Sequence, residues 1–193
     1  MNKELTQKLE ELKNNYYQNN QKKMIFKNTQ KKDCAENICN NMDINILLQN
    51  TFITYPNIHI IYVQYTIFKT YANDNNITTI TNYLFSIIHS HVSKYGGYEM
   101  HINLDTYTIT AHERYKNMYN VFFDMCNKNE LMFSDKLIKM YVYNCPSVIN
   151  TLHSFFSSFI DKNAIHKITM YDKKSSIDHY NQLLKFYNIK IDT

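Results

Sequence analysis

"FSDKLIKMYVYNCPSVINTLHSFFSSFIDKNAIHKITMYD", residues 133–172, packs a strand, a helix and a second strand into one run. "KLIKMYVYN" (136–144) is rich in β-branched and aromatic residues and reads as a strand, and "IHKITMY" (165–171) reads as another. Between them, Pro146 suits the first turn of a helix, where its missing N–H costs nothing. Val148, Ile149, Leu152, Phe155, Phe156, Phe159 and Ile160 then recur at helical spacing and form one apolar face. Burying that face would stabilise by roughly 10–20 kcal/mol as an upper estimate, at ~1.5–3 kcal/mol per large side chain.

The other side of this helix is unusual. From Tyr143 to Ile160 there is no Asp, Glu, Lys or Arg, although 20% of the chain is charged. Asn150, Thr151, His153, Ser154, Ser157 and Ser158 fill the remaining positions, and such groups are far cheaper to dehydrate than full charges. Two readings fit the spacing equally: an ordinary sheet-covering helix without charges, or a helix that leaves the core and touches lipid.

Outward from this block, strands and helices alternate. "NIHIIYVQYTIF" (57–68) reads as a strand, "TTITNYLFSIIHSHVSKY" (78–95) as a helix ended by Gly96-Gly97, and "YEMHINLDT" (98–106) as a strand. "AHERYKNMYNVFFDMC" (111–126) and "SSIDHYNQLLKFY" (175–187) read as helices, and "IKI" (189–191) as an edge strand. Alternation of this kind predicts an α/β fold with a mixed, largely parallel sheet covered by helices. Residues 3–24 read as a helix, and Asp43 as the cap of a short helix over "INILLQN". The division expected is a helical appendage over 1–55 and a main domain over 56–193.

With 193 residues, 44% hydrophobic and 15% aromatic, the chain is long and apolar enough for a proper core. The net charge of +4 comes from scattered lysines and one arginine, Arg114; no basic cluster of the kind nucleic acid demands is present, so no nucleic-acid partner is expected. A mildly basic surface suits an anionic membrane at least as well. Cysteines 34, 39, 126 and 145 lack the spacing of a zinc site, and no metal is expected. The charged N-terminal helix has no apolar signal core and no stretch is long enough to span a bilayer, so a cytoplasmic location with free thiols is expected. Catalysis is not expected either. The eight histidines form no ligand-like triad, His112-Glu113-Arg114 reads as an exposed helix start, and two glycines leave little for a phosphate-cradling loop.

Residues 133–172 resemble the central block of the CRAL-TRIO lipid-binding domain, the family of phosphatidylinositol, retinaldehyde and tocopherol carriers. Asn144-Cys145-Pro146 matches its Asn-x-Pro turn, Phe159-Ile160-Asp161 its helix end and His166-Lys167-Ile168 its last strand. "HINLDTYTIT" (101–110) resembles the family's strand and turn, with Asn103 where Asp is usual and Thr106 where Gly is usual. The resemblance spans about residues 57–191. It implies an apolar pocket between the sheet and a mobile gate helix, Pro146 to Ile160, and favours the lipid-facing reading of that helix. It implies lipid-lining roles for Leu152, Phe155, Phe156, Phe159 and Tyr141, and head-group roles for Asp135 and Lys167, with Ala164 where a threonine is usual. A bound lipid, possession of no other cofactor, and transient membrane contact follow. The stretch between the first two strands is short for the family, which implies a small or closed pocket. The alternative is a non-catalytic scaffold of the same fold that binds a small GTPase or partner domain.

Overall fold

The computed structural model describes residues 3–21, 27–128, 133–146 and 162–186. Residues 147–161 and "IKI" (189–191), and with them Leu152, Phe155, Phe156 and Phe159, lie outside the described residues. The elements are α1 (Lys3–Asn19), α2 (Lys27–Asn40), α3 (Ile44–Thr51), β1 (Phe52–Thr54), β2 (Ile60–Gln64), α4 (Tyr65–Tyr71), α5 (Ile77–Tyr95) and β3 (Tyr98–Asn103). There follow α6 (Ile109–Arg114), α7 (Lys116–Lys128), α8 (Phe133–Lys136), β4 (Leu137–Cys145), α9 (Lys162–Ile165), β5 (Ile168–Asp172) and α10 (Lys173–Phe186).

The five strands among the described residues form one sheet in the order β1-β2-β3-β4-β5. Only β1 runs antiparallel; β2 through β5 are parallel neighbours in sequence order. This is the mixed, largely parallel α/β sheet that the alternating pattern predicts. In-register partners such as Tyr62, His101 and Tyr141 share a face, so the strand alternation divides the sheet cleanly. One face is aliphatic, with Ile61, Val63, Met100, Ile102, Met140 and Val142. The other is aromatic and polar, with Tyr62, Glu99, His101, Tyr141 and Tyr143.

Helices α5 and α7, the crossovers into β3 and β4, contact each other and pack on the aliphatic face. Helix α10 covers the opposite face: Tyr180 stacks 5.5 Å from Tyr62, and His179 stacks 3.9 Å from Tyr171. The N-terminal helices pack through Leu5, Leu9, Cys34, Ile38, Leu47 and Leu48 into a core shared with Tyr65, Phe68 and Tyr71 of α4. The division at residues 55/56 therefore falls between β1 and β2, which are hydrogen-bonded strands.

One boundary differs from the sequence reading. The run 57–68 has strand composition, yet the strand stops at Gln64 and α4 begins at Tyr65. Tyr65, Phe68 and Tyr71 recur at helical spacing, and α4 turns them into an aromatic cluster with Tyr107 and Tyr115, at centroid separations of 4.8–6.3 Å. Tertiary packing overrides β-propensity here. Other boundaries follow local chemistry: Asp43 caps α3 by accepting from Asn45 N–H, and Gly96 ends α5 at φ 77°.

Thr106, where the family pattern favours glycine, nonetheless holds φ 65°. A β-branched residue in left-handed backbone is strained by roughly 1–2 kcal/mol, and the hydrogen bond it accepts from Lys69 Nζ at 2.6 Å is exposed. Thr106→Gly is therefore expected to stabilise the fold by about 1 kcal/mol, read as a rise in urea midpoint at unchanged slope.

Candidate functional site

The aliphatic face of the sheet does not close completely against its helices. A cavity of about 200 Å³ remains, floored by Met100, Ile102, Met140 and Val142 and walled by Leu84 of α5 and Phe122 of α7. Among the described residues no charged side chain lines it. Its polar border is a hydroxyl chain: Tyr107 Oη lies 3.0 Å from His112 Nδ1 and 2.8 Å from Tyr119 Oη. Burial first, and the neighbouring Tyr119 second, push the Tyr107 phenol far above its usual range. Burial likewise lowers the pKa of His112. These groups stay neutral at physiological pH, and the cavity presents an uncharged, largely aliphatic surface suited to hydrocarbon. His112 is 3% exposed within α6, which corrects the expectation of an exposed helix start. Its ring stacks at 5.5 Å on Tyr119 of the next helix, α7, a contact that its local pattern does not reveal.

The turns above this cavity are tied together. Asn144 adopts φ 57°, donates its Nδ2–H to Asn103 Oδ1 at 2.7 Å, and donates its backbone N–H to Ser176 Oγ at 2.7 Å. Asn103 Oδ1 also accepts from Asp105 N–H at 3.0 Å. An amide at position 103 supplies the acceptor that this turn needs, so the Asn144-Cys145-Pro146 turn is anchored to the end of β3 and to α10.

Tyr141 lies on the opposite face from the cavity, its ring 5.0 Å from His101 and 6.3 Å from Tyr171. The alternation of β4 decides this: Met140 and Val142 line the cavity, and Tyr141 and Tyr143 point away. Asp135 sits in α8 and Lys167 directly before β5; α8 and α9 touch, so both residues belong to the amino-terminal end of β4 and β5. Lys167 is half-buried and Asp135 exposed. Lys167 C=O accepts from Met140 N–H at 3.0 Å, which fixes its backbone to β4. Ala164 is completely buried and adds no hydroxyl.

Among the described residues, no group of three or more His, Cys, Asp or Glu side chains could hold a metal ion. Nor is any helix among them long and apolar enough to cross a membrane. Burial pushes the Cys34 and Cys145 thiols up to about 11. At pH 7.5 both should therefore react with an aromatic disulfide reagent at least about 100-fold more slowly than free cysteine, a difference that denaturant abolishes.

The model of the CRAL/TRIO domain matches residues 57–191. The chain belongs to the CRAL/TRIO family. The match spans the four parallel strands, the cavity and the turn described above. The crystal structure of Sfh5 is similar over 93% of this chain and 69% of that one, with 14% identity and a TM-score of 0.57, a likeness of fold. No curated protein matches the chain. Lipid binding, in general terms, comes with membership of this CRAL/TRIO family.

Proposed function

We propose that this CRAL/TRIO protein takes a hydrophobic or amphipathic lipid into the cavity on the aliphatic sheet face and exchanges it with membranes. The observation that carries this reading is the cavity lining, which among the described residues holds no charge and is floored by β3 and β4. In this reading the segment Pro146 to Ile160, the gate that the family resemblance implies, is the cover. It lies in the connection between parallel strands β4 and β5, and such crossovers are right-handed almost without exception. In this reading the connection shares the face that α5 and α7 cover, as one hand of crossover requires when strands are ordered as in the sequence. An uncharged segment there can face hydrocarbon on both its sides, which a charged helix could not do cheaply.

Asp135 and Lys167 form the head-group end in this reading, with Lys167 offering a point charge to a phosphate such as that of phosphatidylinositol. Peripheral membrane contact and a cytoplasmic place of action accompany it. A cavity of about 200 Å³ lies below the ~300–1,000 Å³ typical of ligand sites. That size sustains the competing reading, a lipid-free scaffold for a small GTPase or partner domain.

Uptake of radiolabelled phospholipid from mixed vesicles separates the two. The wild-type chain should acquire lipid toward one per chain, and Phe156→Asp should acquire none, because a carboxylate on the cover is costly to dehydrate. Equal uptake by both proteins would remove the cover from the mechanism. Uptake by neither, with retained binding of a partner domain, would favour the scaffold.

A further inference from the structure

A second cavity, of about 400 Å³, lies at the carboxyl-terminal end of the sheet, between the N-terminal helices and α4 and α6. It has the opposite chemistry. Lys13, Lys31, Lys69 and Arg114 line it against a single carboxylate among the described residues, Glu10, which is already bonded to Lys13 Nζ at 2.7 Å. Arg114 is the chain's one arginine. Threonine hydroxyls stand between the cations: Thr66 and Thr70 on α4, Thr106 and Thr108 in the loop after β3.

Two polar atoms here are buried without a partner, Thr66 Oγ1 and Arg114 Nε. Buried polar atoms are nearly always satisfied, so two orphans on one basic cavity call for an acceptor supplied from outside. The cations are also crowded. Burial and the charge of Lys13, with a smaller part from Lys31, lower the pKa of Lys69, while Asp105 and Glu10 oppose the shift. An anion in the cavity would relieve that repulsion. The location fits as well, since open α/β sheets bind ligands beyond the carboxyl ends of their strands.

We propose that this basic cavity binds a phosphate group, carried by a small soluble phosphomonoester or by a lipid head group. It is separate from Asp135 and Lys167, which lie at the amino-terminal ends of β4 and β5, whereas Thr66 and Thr106 follow the carboxyl ends of β2 and β3. Lysine ammoniums and the arginine fork supply charge, and threonine hydroxyls supply directed hydrogen bonds. The volume exceeds what a bare phosphate fills and admits an organic substituent. The site does not depend on lipid occupying the apolar cavity.

The test uses the full chain and three probes: inorganic phosphate, glucose 6-phosphate with glucose as the uncharged control, and phosphatidylcholine vesicles with or without phosphatidic acid. Calorimetry should show saturable heat with the two soluble phosphates and none with glucose, which establishes a soluble source. Binding confined to vesicles containing phosphatidic acid establishes the lipid source instead. In either case Lys69→Met should weaken binding about tenfold and Thr66→Val about fivefold, the scale of a lost charge-assisted and a lost neutral hydrogen bond. Thr66→Val should not lower the melting temperature, because the hydroxyl it removes has no partner to lose. Absence of binding to all phosphate probes, or binding that both variants leave unchanged, would overturn the proposal.

Discussion

Ile102→Trp is expected to empty the protein of lipid while leaving it folded. Ile102 lies in the middle of the aliphatic face, in register with Val63 on one side and Val142 on the other, and forms part of the cavity floor. An indole grows from this position into the cavity of about 200 Å³ and fills space that hydrocarbon would otherwise occupy. Overpacking in a closed core costs roughly 1–3 kcal/mol, but a pre-existing void absorbs the added volume and keeps the penalty at the lower end. Lipid per chain after vesicle incubation should fall at least tenfold, with a denaturation midpoint close to that of the wild type. A lipid content equal to wild type would move the binding site away from this cavity.

The second large effect concerns the other sheet face and should be purely structural. His101 is completely buried, with Nε2 2.6 Å from Glu99 Oε1 and Nδ1 2.8 Å from Tyr143 Oη. A carboxylate can only accept, so in the neutral ring Nε2–H donates to Glu99 and Nδ1 accepts from the Tyr143 hydroxyl. Burial, followed by the nearby Tyr171 and the Glu99 charge, raises the Tyr143 pKa and keeps that hydroxyl protonated as a donor. His101→Leu removes both bonds at once. It strands a carboxylate that is only 13% exposed, with His59 Nε2 at 4.0 Å. Leaving a buried acceptor without its donor costs about 1–3 kcal/mol, more when it is charged, and about 3 is expected for a carboxylate that retains some water. In a chain of this size that lowers the melting temperature by about 10 °C. Tyr143→Phe, which deletes one neutral hydroxyl bond, should cost only about 1 kcal/mol. Equal losses from the two substitutions would show that Glu99 is not held by the imidazole.

The contrast between the two sheet faces explains what could be read from the sequence. The strands β2 to β5 were legible because β-branched and aromatic runs alternate with helical periodicity, and residues 133–172 carry the family's strand, turn and strand in order. What "LIKMYVYNC" could not reveal is which of its faces meets the cavity. Tyrosine and methionine are both apolar enough to sit on either side, so Tyr141 reads as pocket lining until β3 and β5 supply its neighbours. The end of β2 was hidden for a related reason. Tyr65, Phe68 and Tyr71 suit a strand by composition, and only contact with Tyr107 and Tyr115 makes the helix pay.

The turns were half legible. Asn103 and Thr106 stand out against the family pattern, but their consequences are geometric: an amide that accepts from both Asn144 and Asp105, and a threonine held at φ 65°. The basic cavity was not legible at all. Lys13, Lys31, Lys69 and Arg114 are scattered along the chain and look like solvated surface charges. Only the packing of α1 and α2 on α4 gathers them.

The most direct test of lipid carriage is solvent extraction of the full chain purified from a eukaryotic host, with mass spectrometry of the extract against a denatured-protein control. The account predicts one dominant lipid class approaching one molecule per chain, and its loss in Ile102→Trp. A lipid-free extract, both as purified and after incubation with mixed liposomes, would contradict it.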